Sequence, residues 1–149
     1  MRAVIQRVDE AKVTVEGNVI GAVSKGLLVL IAVGMEDSPE DVLFLKRKIL
    51  NLRIFEDSQG TMNRSLLEVG GELLIVSQFT LYGDCRKGNR PSYSRAAPPS
   101  RAHELYQELV RQIESERVSV RTGRFQAMMK VSLVNDGPVT IIVDSKNTH

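Results

Sequence analysis

The chain has 149 residues, of which 42% are hydrophobic and 26% charged, and its net charge is +2. This composition is typical of one folded domain, so we predict a single domain over residues 1–149 and exclude the disordered and fibrous classes. The longest apolar run, residues 27–33, is too short to span a bilayer, and no signal-peptide core follows Met1. We therefore expect a cytoplasmic protein that does not contact a membrane. The single cysteine, Cys85, excludes an internal disulfide and a cysteine-based zinc site.

The first part of the chain has the pattern of antiparallel β-structure. Strands are predicted over residues 3–8, 11–15, 19–23 and 27–33. The last of these is apolar on both faces, as a central strand would be. A helix is predicted next, because Ser38 is a favourable N-cap, Pro39 suits the first helical position and two acidic residues follow. Its buried stripe would consist of Val42, Leu45, Ile49 and Leu50.

The second part combines strands, a long loop and one more helix. Strands are predicted over residues 52–56, 72–76, 124–134 and 139–144, and the loop over residues 83–99. Ser100 is expected to cap the second helix, and the inner face would carry Leu105, Leu109, Val110 and Ile113. The sequence therefore predicts an α+β fold in which a predominantly antiparallel sheet or partial barrel is covered by two helices.

The strand over residues 72–76 ends in a polar stretch, Ser77-Gln78-Phe79-Thr80. A serine or threonine hydroxyl is a weak nucleophile unless a base removes its proton. The chain has only two histidines, His103 and His149, and we predict no catalytic role for either. A strand end instead presents backbone N–H groups without ladder partners, and two such donors can form an oxyanion hole. These residues could equally satisfy local turn hydrogen bonds, and both interpretations stay open.

A locally cationic segment follows this stretch. Residues 86–101 contain four arginines and one lysine but no acidic residue, and the candidate contacts within it are Arg86, Lys87, Arg90 and Arg95. Such a segment suits a ligand that carries phosphate groups. The alternative is an ordinary solvated basic loop.

Gly137 and Pro138 lie between the last two predicted strands. A Gly-Pro pair in this position is most often a tight turn with a trans peptide bond, since only ~5% of such bonds are cis. A cis bond would let the two carbonyls that flank the ring point the same way. The sequence leaves both alternatives open.

Several common catalytic motifs are absent from the sequence. It contains no G-x-G-x-x-G, Walker A, H-E-x-x-H or G-x-S-x-G pattern. Two histidines are too few for a histidine-rich metal site. We therefore expect neither a metal nor a cofactor.

The segments SQFTLYGD and NDGPVT, the opening MRAVIQRV and the order of elements between them resemble the D-aminoacyl-tRNA deacylases. This family removes D-amino acids wrongly attached to tRNA. The likeness extends over nearly the whole chain up to Asp144, and the two motifs are specific when found together. It implies that aminoacyl-tRNA is the substrate and that the protein is a homodimer with active sites at the subunit interface.

The resemblance also implies the outline of a mechanism. The stretch from Ser77 to Thr80 would line the pocket for the aminoacyl group on the terminal adenosine of the tRNA. The 2′-hydroxyl of that adenosine would carry much of the chemistry, while N–H groups near Phe79 and Thr80 would hold the oxyanion. An older proposal for the family makes the threonine a nucleophile, and the lack of bases in this sequence favours the first mechanism.

Chiral selection is the second role that the resemblance implies. Gly137 and a cis Pro138 would enter the site from the other subunit as a backbone wedge that rejects every L side chain, and Arg7 would help to fasten this contact. Glycine has no side chain to clash, so glycine mischarged on alanine tRNA would also be released.

Two other classes of function stay possible on the sequence alone. A non-catalytic RNA-binding module would normally expose stacking aromatics, but this chain has no tryptophan, three tyrosines and four phenylalanines. A hydrolase of small free esters is the other alternative, because a fold does not determine a function.

Overall fold

A computed structural model gives the fold of residues 1–146, and residues 147–149 lie outside the described part together with the prediction for His149. The strands are β1 (Arg2–Val15), β2 (Asn18–Val23), β3 (Gly26–Ala32), β4 (Phe55–Glu56), β5 (Met62–Arg64), β6 (Glu72–Ser77), β7 (Val120–Thr122) and β8 (Lys130–Asp144). The helices are α1 (Pro39–Asn51), α2 (Leu66–Val69) and α3 (Pro99–Glu114), and a 3₁₀ helix spans Phe79–Tyr82.

β1 is the centre of the antiparallel part of the main sheet. Its first half pairs with β3, its second half pairs with β2, and β8 lies along its other edge. Beyond β3, the pairs β3–β6 and β6–β7 are parallel, so the sheet is mixed. The predicted α+β fold is confirmed, although these two parallel pairs were not part of the prediction.

β3 and β6 are buried on both faces, as their apolar runs predict. Val29 and Ile31 of β3 belong to a core that α1 and α3 cover. Leu28 of β3 and Leu74 of β6 belong to a second core, which the second half of β1 and the strand β2 close from the opposite side. The sheet therefore packs on both of its faces.

The strand β2 comes so close to β7 that the sheet forms a nearly closed barrel. A Cβ atom added to Gly21 of β2 would lie 2.8 Å from the carbonyl oxygen of Thr122 in β7. Because a side chain would force the two strands apart, glycine is needed at this position. The partial barrel of the prediction is thus present.

α1 begins as predicted, with Ser38 as the N-cap and Pro39 in the first turn. The carboxylate of Asp41 accepts a hydrogen bond from the backbone N–H of Ser38 at 2.9 Å. The predicted stripe of Val42, Leu45, Ile49 and Leu50 is buried. The start of α3 differs from the prediction, because Pro98 is the N-cap and Ser100 lies inside the first turn. The inner face of α3 is as predicted, with Leu105, Leu109 and Ile113 buried and Val110 packed against the core.

Several elements differ from the predictions. Residues 1–146 form three α-helices rather than two, because the single turn α2 was not predicted, and β5 and β7 were also missed. The strand predicted over residues 52–56 is reduced to Phe55–Glu56. The strands predicted over residues 124–134 and 139–144 form one strand that begins at Lys130. Of the helices within residues 1–146, none is long and apolar enough to cross a membrane.

Candidate active site

Ser77 is the last residue of β6, at the end where the parallel ladder with β3 stops. It pairs with Ile31, and the backbone N–H of Gln78 donates to the Ile31 carbonyl at 2.7 Å. The chain then turns into the 3₁₀ helix, whose first hydrogen bond runs from the N–H of Leu81 to the carbonyl of Gln78 at 3.2 Å. The N–H groups of Phe79 and Thr80 precede this bond, so the helix itself offers them no acceptor. Two neighbouring donors are therefore available at the strand end.

The hydroxyl of Thr80 has an amide as its neighbour rather than a base. The side-chain nitrogen of Gln78 donates to the Thr80 oxygen at 3.1 Å. An amide N–H cannot take up a proton, so this contact positions the hydroxyl without activating it as a nucleophile. Phe79 and Thr80 are both exposed at the surface of the chain.

Arg2 fastens the 3₁₀ helix to the sheet. Its guanidinium donates to the carbonyl of Leu81 at 3.0 Å and to the carboxylate of Asp144 at 2.9 Å. The same group lies over the ring of Tyr82, 4.5 Å from the ring centroid. Burial, with help from the nearby carboxylates of Asp37 and Asp144, raises the pKa of the Tyr82 hydroxyl. The far end of the helix is thereby held by a charged contact and an aromatic one.

The basic segment forms a loop beside the 3₁₀ helix. Its base is closed by two hydrogen bonds between the backbones of Asp84 and Ser92, at 2.8 and 3.0 Å. Hydrogen bonds from Arg86 lower the pKa of the Asp84 carboxyl to about 2, so Arg86 is held by a carboxylate. Lys87 and Arg90 are exposed near the tip.

The fourth basic candidate, Arg95, lies away from the tip of the loop. It contributes to a surface cavity of about 230 Å³ beside Tyr82 and Asp37. The structure therefore spreads the four predicted cations over the loop rather than gathering them at one point. Only Lys87 and Arg90 share the tip.

Gly137 and Pro138 lie in a wide bulge of β8. Gln6 pairs with Thr140 and Val8 with Asn135, so residues 136–139 are all opposite Arg7. The Gly137–Pro138 peptide bond is cis, and Gly137 has a φ of +122°, which favours glycine. Of the two alternatives that the sequence left open for this peptide bond, the trans form is thus excluded.

Arg7 and Asn135 hold this bulge. Arg7 is only 5% exposed, and its guanidinium donates to the carbonyls of Ile54 at 2.8 Å and Asp136 at 3.3 Å. The side-chain amide of Asn135 donates to the carbonyls of Arg7 at 2.8 Å and Val139 at 3.0 Å. The bulge is therefore supported mainly by side chains.

The strand end and the bulge do not meet within one chain. Ser77 is level with Ile31 and hence with Ala3 of β1, whereas the bulge is level with Arg7. Four residues along the strands and three strand spacings across the sheet separate the two motifs by roughly 20 Å. The chain thus brings Ser77, Gln78, Phe79 and Thr80 together in one place, and Arg7, Gly137 and Pro138 in another.

The described part of the chain offers little acid–base or metal chemistry. His103, for which no catalytic role is predicted, is half-buried and stacks on Phe125 with ring centroids 4.4 Å apart. Among residues 1–146, the structure places no group of three or more His, Cys, Asp or Glu side chains so that they could hold a metal ion.

The sequence and the fold match a known family over almost their whole length. A family model described as D-Tyr-tRNA(Tyr) deacylase matches residues 4–144. The chain belongs to this deacylase family. A relative from Thermosipho africanus, named D-aminoacyl-tRNA deacylase, is 62% identical over 146 residues, which are 98% of each protein. A relative of the same name from Clostridioides difficile is 57% identical over 148 residues, which are 99% of each.

Two solved structures share the fold of this deacylase. One, of a c-Myc DNA Unwinding Element Binding Protein, has a TM-score of 0.92 and 40% identity, covering 97% of this chain and 99% of the other. A second, of a probable eukaryotic D-amino acid tRNA deacylase, has a TM-score of 0.80 and 18% identity, covering 95% and 97%. The second supports the fold alone. The family suggested by the sequence motifs is confirmed.

Two residues of the deacylase were not singled out from the sequence although they shape the two motifs. Arg2 supports the 3₁₀ helix, and Asn135 supports the bulge. Asn135 belongs to the quoted motif NDGPVT and could have been noted, because asparagine often bonds the backbone of turns. Nothing in the sequence around Arg2 indicates its partner Asp144, which is 142 residues away.

Proposed function

We propose that the protein hydrolyses the ester bond of D-aminoacyl-tRNA and releases the D-amino acid and free tRNA. The match of residues 4–144 to the deacylase family, with relatives that carry this name, is the observation that supports the proposal most strongly. The expected place of action is the cytoplasm, where aminoacyl-tRNAs are made and used.

The strand end is the part of the site that would stabilise the reaction. When water attacks the carbonyl carbon of the ester, the carbonyl oxygen becomes negatively charged. The N–H groups of Phe79 and Thr80 would donate hydrogen bonds to this oxygen. Removal of one such donor from a hydrolase typically costs about 3–4 kcal/mol in the barrier. An aminoacyl ester is already labile, so this stabilisation and correct positioning would carry a large share of the catalysis.

The proton chemistry would be supplied by the substrate. Thr80 accepts a hydrogen bond from an amide and is not next to a base, so the 2′-hydroxyl of the terminal adenosine is the better candidate to assist the attack. The leaving 3′-oxygen takes a proton as the ester bond breaks, and the amino acid leaves as the acid. Thr80 would then orient the substrate rather than form an acyl-enzyme.

A second copy of the chain would complete the site. The bulge and the strand end are roughly 20 Å apart in one chain, so a single aminoacyl group cannot contact both within that chain. β8 pairs only with β1 in the described chain and exposes Val134 (46%) and Ile142 (55%). A long strand edge with exposed apolar residues is normally covered, and a homodimer would cover it.

Gly137 and Pro138 of that second copy would select the chirality of the substrate. A side-chain pocket discriminates by only ~1–3 kcal/mol and differs for every amino acid. Backbone atoms placed where an L side chain must project reject all L residues alike. Arg7, buried beneath the bulge, would keep these atoms in place, and glycine would not be rejected.

The first experiment measures the release of D-tyrosine and L-tyrosine from separately prepared tyrosyl-tRNAs, with and without a chelator. We expect fast release of the D form, none of the L form and no effect of the chelator. Release of neither would reject the proposal and favour an RNA-binding role, whereas cleavage of free esters without any dependence on tRNA would indicate a small-ester hydrolase. Sedimentation of the same sample tests the dimer.

The role of Thr80 has its own test. Thr80→Ala should keep near-normal turnover, because the N–H groups of the backbone remain. The matched control is Ser92→Ala, which removes a hydroxyl from the neighbouring loop. Loss of turnover in the first variant alone, with an acyl-enzyme trapped on wild-type protein, would restore the threonine as nucleophile.

The basic loop would contact phosphates of the acceptor end. Lys87 and Arg90 are exposed, and they lie on a loop whose base, formed by Asp84 and Ser92, closely follows the 3₁₀ helix. Neutralising one phosphate contributes a slope of about −0.7 to −0.9 in a plot of log affinity against log salt. The double change of these two residues to Ala should make that slope shallower by about one to two.

A further inference from the structure

The ring of Tyr93 is the feature that the proposed function leaves unexplained. Tyr93 is 38% exposed although it is an aromatic residue, and it stands on the basic loop. Its two fellow tyrosines, Tyr82 and Tyr106, are both buried. An exposed aromatic ring among cations is a combination that single-stranded RNA sites use, since a base stacks on the ring while the cations attract its phosphates.

The backbone holds Tyr93 in a fixed position. Ser92, directly before it, makes two backbone hydrogen bonds with Asp84, and the carbonyl of Tyr93 itself accepts one from Ala96 at 3.0 Å. One side of the ring lies against Gly83, where an added Cβ would be 3.1 Å from a ring carbon. The ring is therefore presented by an ordered segment, which lowers the entropy cost of binding a base.

Tyr93 also adjoins the proposed catalytic strand end. Its ring meets the ring of Phe79 edge to face, with centroids 5.1 Å apart and an interplanar angle of 69°. Phe79 carries one of the two free N–H groups and is 56% exposed. The aromatic surface thus continues from the place where the ester would react toward the loop with Lys87 and Arg90.

We propose that Tyr93 stacks on the base of the nucleotide that precedes the terminal adenosine of the tRNA. This inference rests on the proposed function and names the part of the substrate that the loop recognises. If the ester of the terminal adenosine is at the strand end, the preceding nucleotide can be no farther from Phe79 than the length of one nucleotide. Tyr93 is the exposed ring in contact with Phe79, and a π-face accepts any base, which suits a site that must serve many tRNAs.

The test compares a complete substrate with one that lacks the preceding nucleotide. The substrates are D-tyrosyl-tRNA, D-tyrosyl-tRNA with an abasic residue before the terminal adenosine, and D-tyrosyl-adenosine. The proteins are wild type, Tyr93→Ala, Tyr93→Phe and, as a control, Val19→Ala, which changes an exposed apolar side chain on β2. KM and kcat are measured for each combination.

Tyr93→Ala should raise KM for D-tyrosyl-tRNA about tenfold, the size expected for the loss of one stacked base, with little change in kcat. Tyr93→Phe keeps the ring and should stay within about twofold of wild type. With the abasic substrate, KM of the wild type should rise about tenfold over its value for the complete D-tyrosyl-tRNA. Tyr93→Ala should not raise KM for the abasic substrate any further, because the ring and the base act as a pair. With D-tyrosyl-adenosine the effect of Tyr93→Ala should disappear.

Other results would overturn the inference in distinct ways. If Tyr93→Ala weakens the complete tRNA and D-tyrosyl-adenosine equally, Tyr93 acts by supporting Phe79 and does not stack on a preceding base. If Tyr93→Ala matches the Val19→Ala control on every substrate, the ring has no role in binding. If wild-type protein releases no D-tyrosine from any of the three substrates, the proposed function itself has failed.

Discussion

The strand end and the bulge are each held by an arginine of β1, but the carboxylates that pair with the two arginines differ in their exposure to water. Arg2 pairs with Asp144, whose side chain is fully buried. Arg7 pairs with Asp136 and Glu56, which are partly or largely open to water. Because losing a charged partner costs a buried carboxylate more than one that water can reach, the contact of Arg2 should matter more for stability. The contact of Arg7, beneath the proposed wedge, should matter more for selectivity.

The largest effect on stability is therefore expected for Arg2→Ala. Its loss takes the arginine partner away from the buried carboxylate of Asp144, which keeps a hydrogen bond from the backbone N–H of Lys146 at 2.8 Å. Removing one partner of a buried ion pair costs at most about 3–5 kcal/mol. Urea unfolding measures the free energy of unfolding. Lys12→Ala, which removes an exposed cation from the same strand, is the control and should cost less than about 0.5 kcal/mol. Equal values for the two variants would show that the contact with Asp144 is not stabilising.

A smaller loss of stability, but a larger loss of selectivity, is expected for Arg7→Ala. The variant loses a buried, charged hydrogen bond to Ile54 and the contact to Asp136, together worth about 2–3 kcal/mol. The ratio of D- to L-tyrosine release from tyrosyl-tRNA should fall. Arg7→Lys keeps the charge but not the forked geometry of the guanidinium, so its ratio of D- to L-tyrosine release should lie between those of wild type and Arg7→Ala. A lower stability with an unchanged ratio would limit Arg7 to a structural role.

Asn135→Ala should weaken the same bulge by a smaller amount. Its amide donates two hydrogen bonds to backbone carbonyls from a half-buried position, so a loss of about 1–2 kcal/mol is expected in urea unfolding. Asn18→Ala removes an exposed asparagine whose hydrogen bond is long, 3.4 Å, and serves as the control. If the two variants are equally stable, the bulge is held by Arg7 alone.

The smallest effect is expected for Tyr82→Phe, and only in alkaline solution. The pKa of Tyr82 is raised in the folded protein, above the value of ~10 for an unfolded tyrosine. The unfolded chain therefore loses this proton first, so the folded state loses stability as the pH rises above about 10. The melting temperature of Tyr82→Phe should fall less steeply in that range than that of wild type, and the two should fall together below it. Tyr106, whose pKa burial also raises, contributes to the remaining slope, as does Lys146, whose pKa its hydrogen bond to Asp41 raises.

The elements that could be predicted from the sequence are those whose apolar or capping residues follow a regular pattern. β3 and β6 have continuous apolar runs, and the start of α1 has Ser38 and Pro39, so local information was sufficient there. The turn α2 has a capping pair, Ser65 and Glu68, but its four residues are too few to show a helical period.

The predicted strand over residues 124–134 shows why an alternating pattern can mislead. Phe125, Ala127 and Met129 do pack against the cores, so their alternation is real. This segment nevertheless has no ladder partner before Lys130 in β8. Burial alternates there without a strand, because the sequence records which side chains face inward and not which backbone groups are paired.

The strand end could be located from the sequence, whereas the contacts around it could not. Ser77 to Thr80 follow an apolar run, so their place at the end of β6 was predictable. The contacts of Arg2 with Leu81 and of Arg7 with Ile54 depend on the register of strands that are far apart in the chain. Register between distant strands has no local signal, and these contacts appear only once the fold is known.

The bulge in β8 also restricts how this chain can change in length. Between the pairs Gln6–Thr140 and Glu10–Val134, four steps along β1 correspond to six along β8, so β8 carries two extra residues. An even number leaves Val139, Ile141 and Val143 on the side of the core. A deletion or insertion of one residue would turn the rest of the strand inside out, exposing these three and burying Thr140. Tolerated length changes at this point should therefore come in pairs.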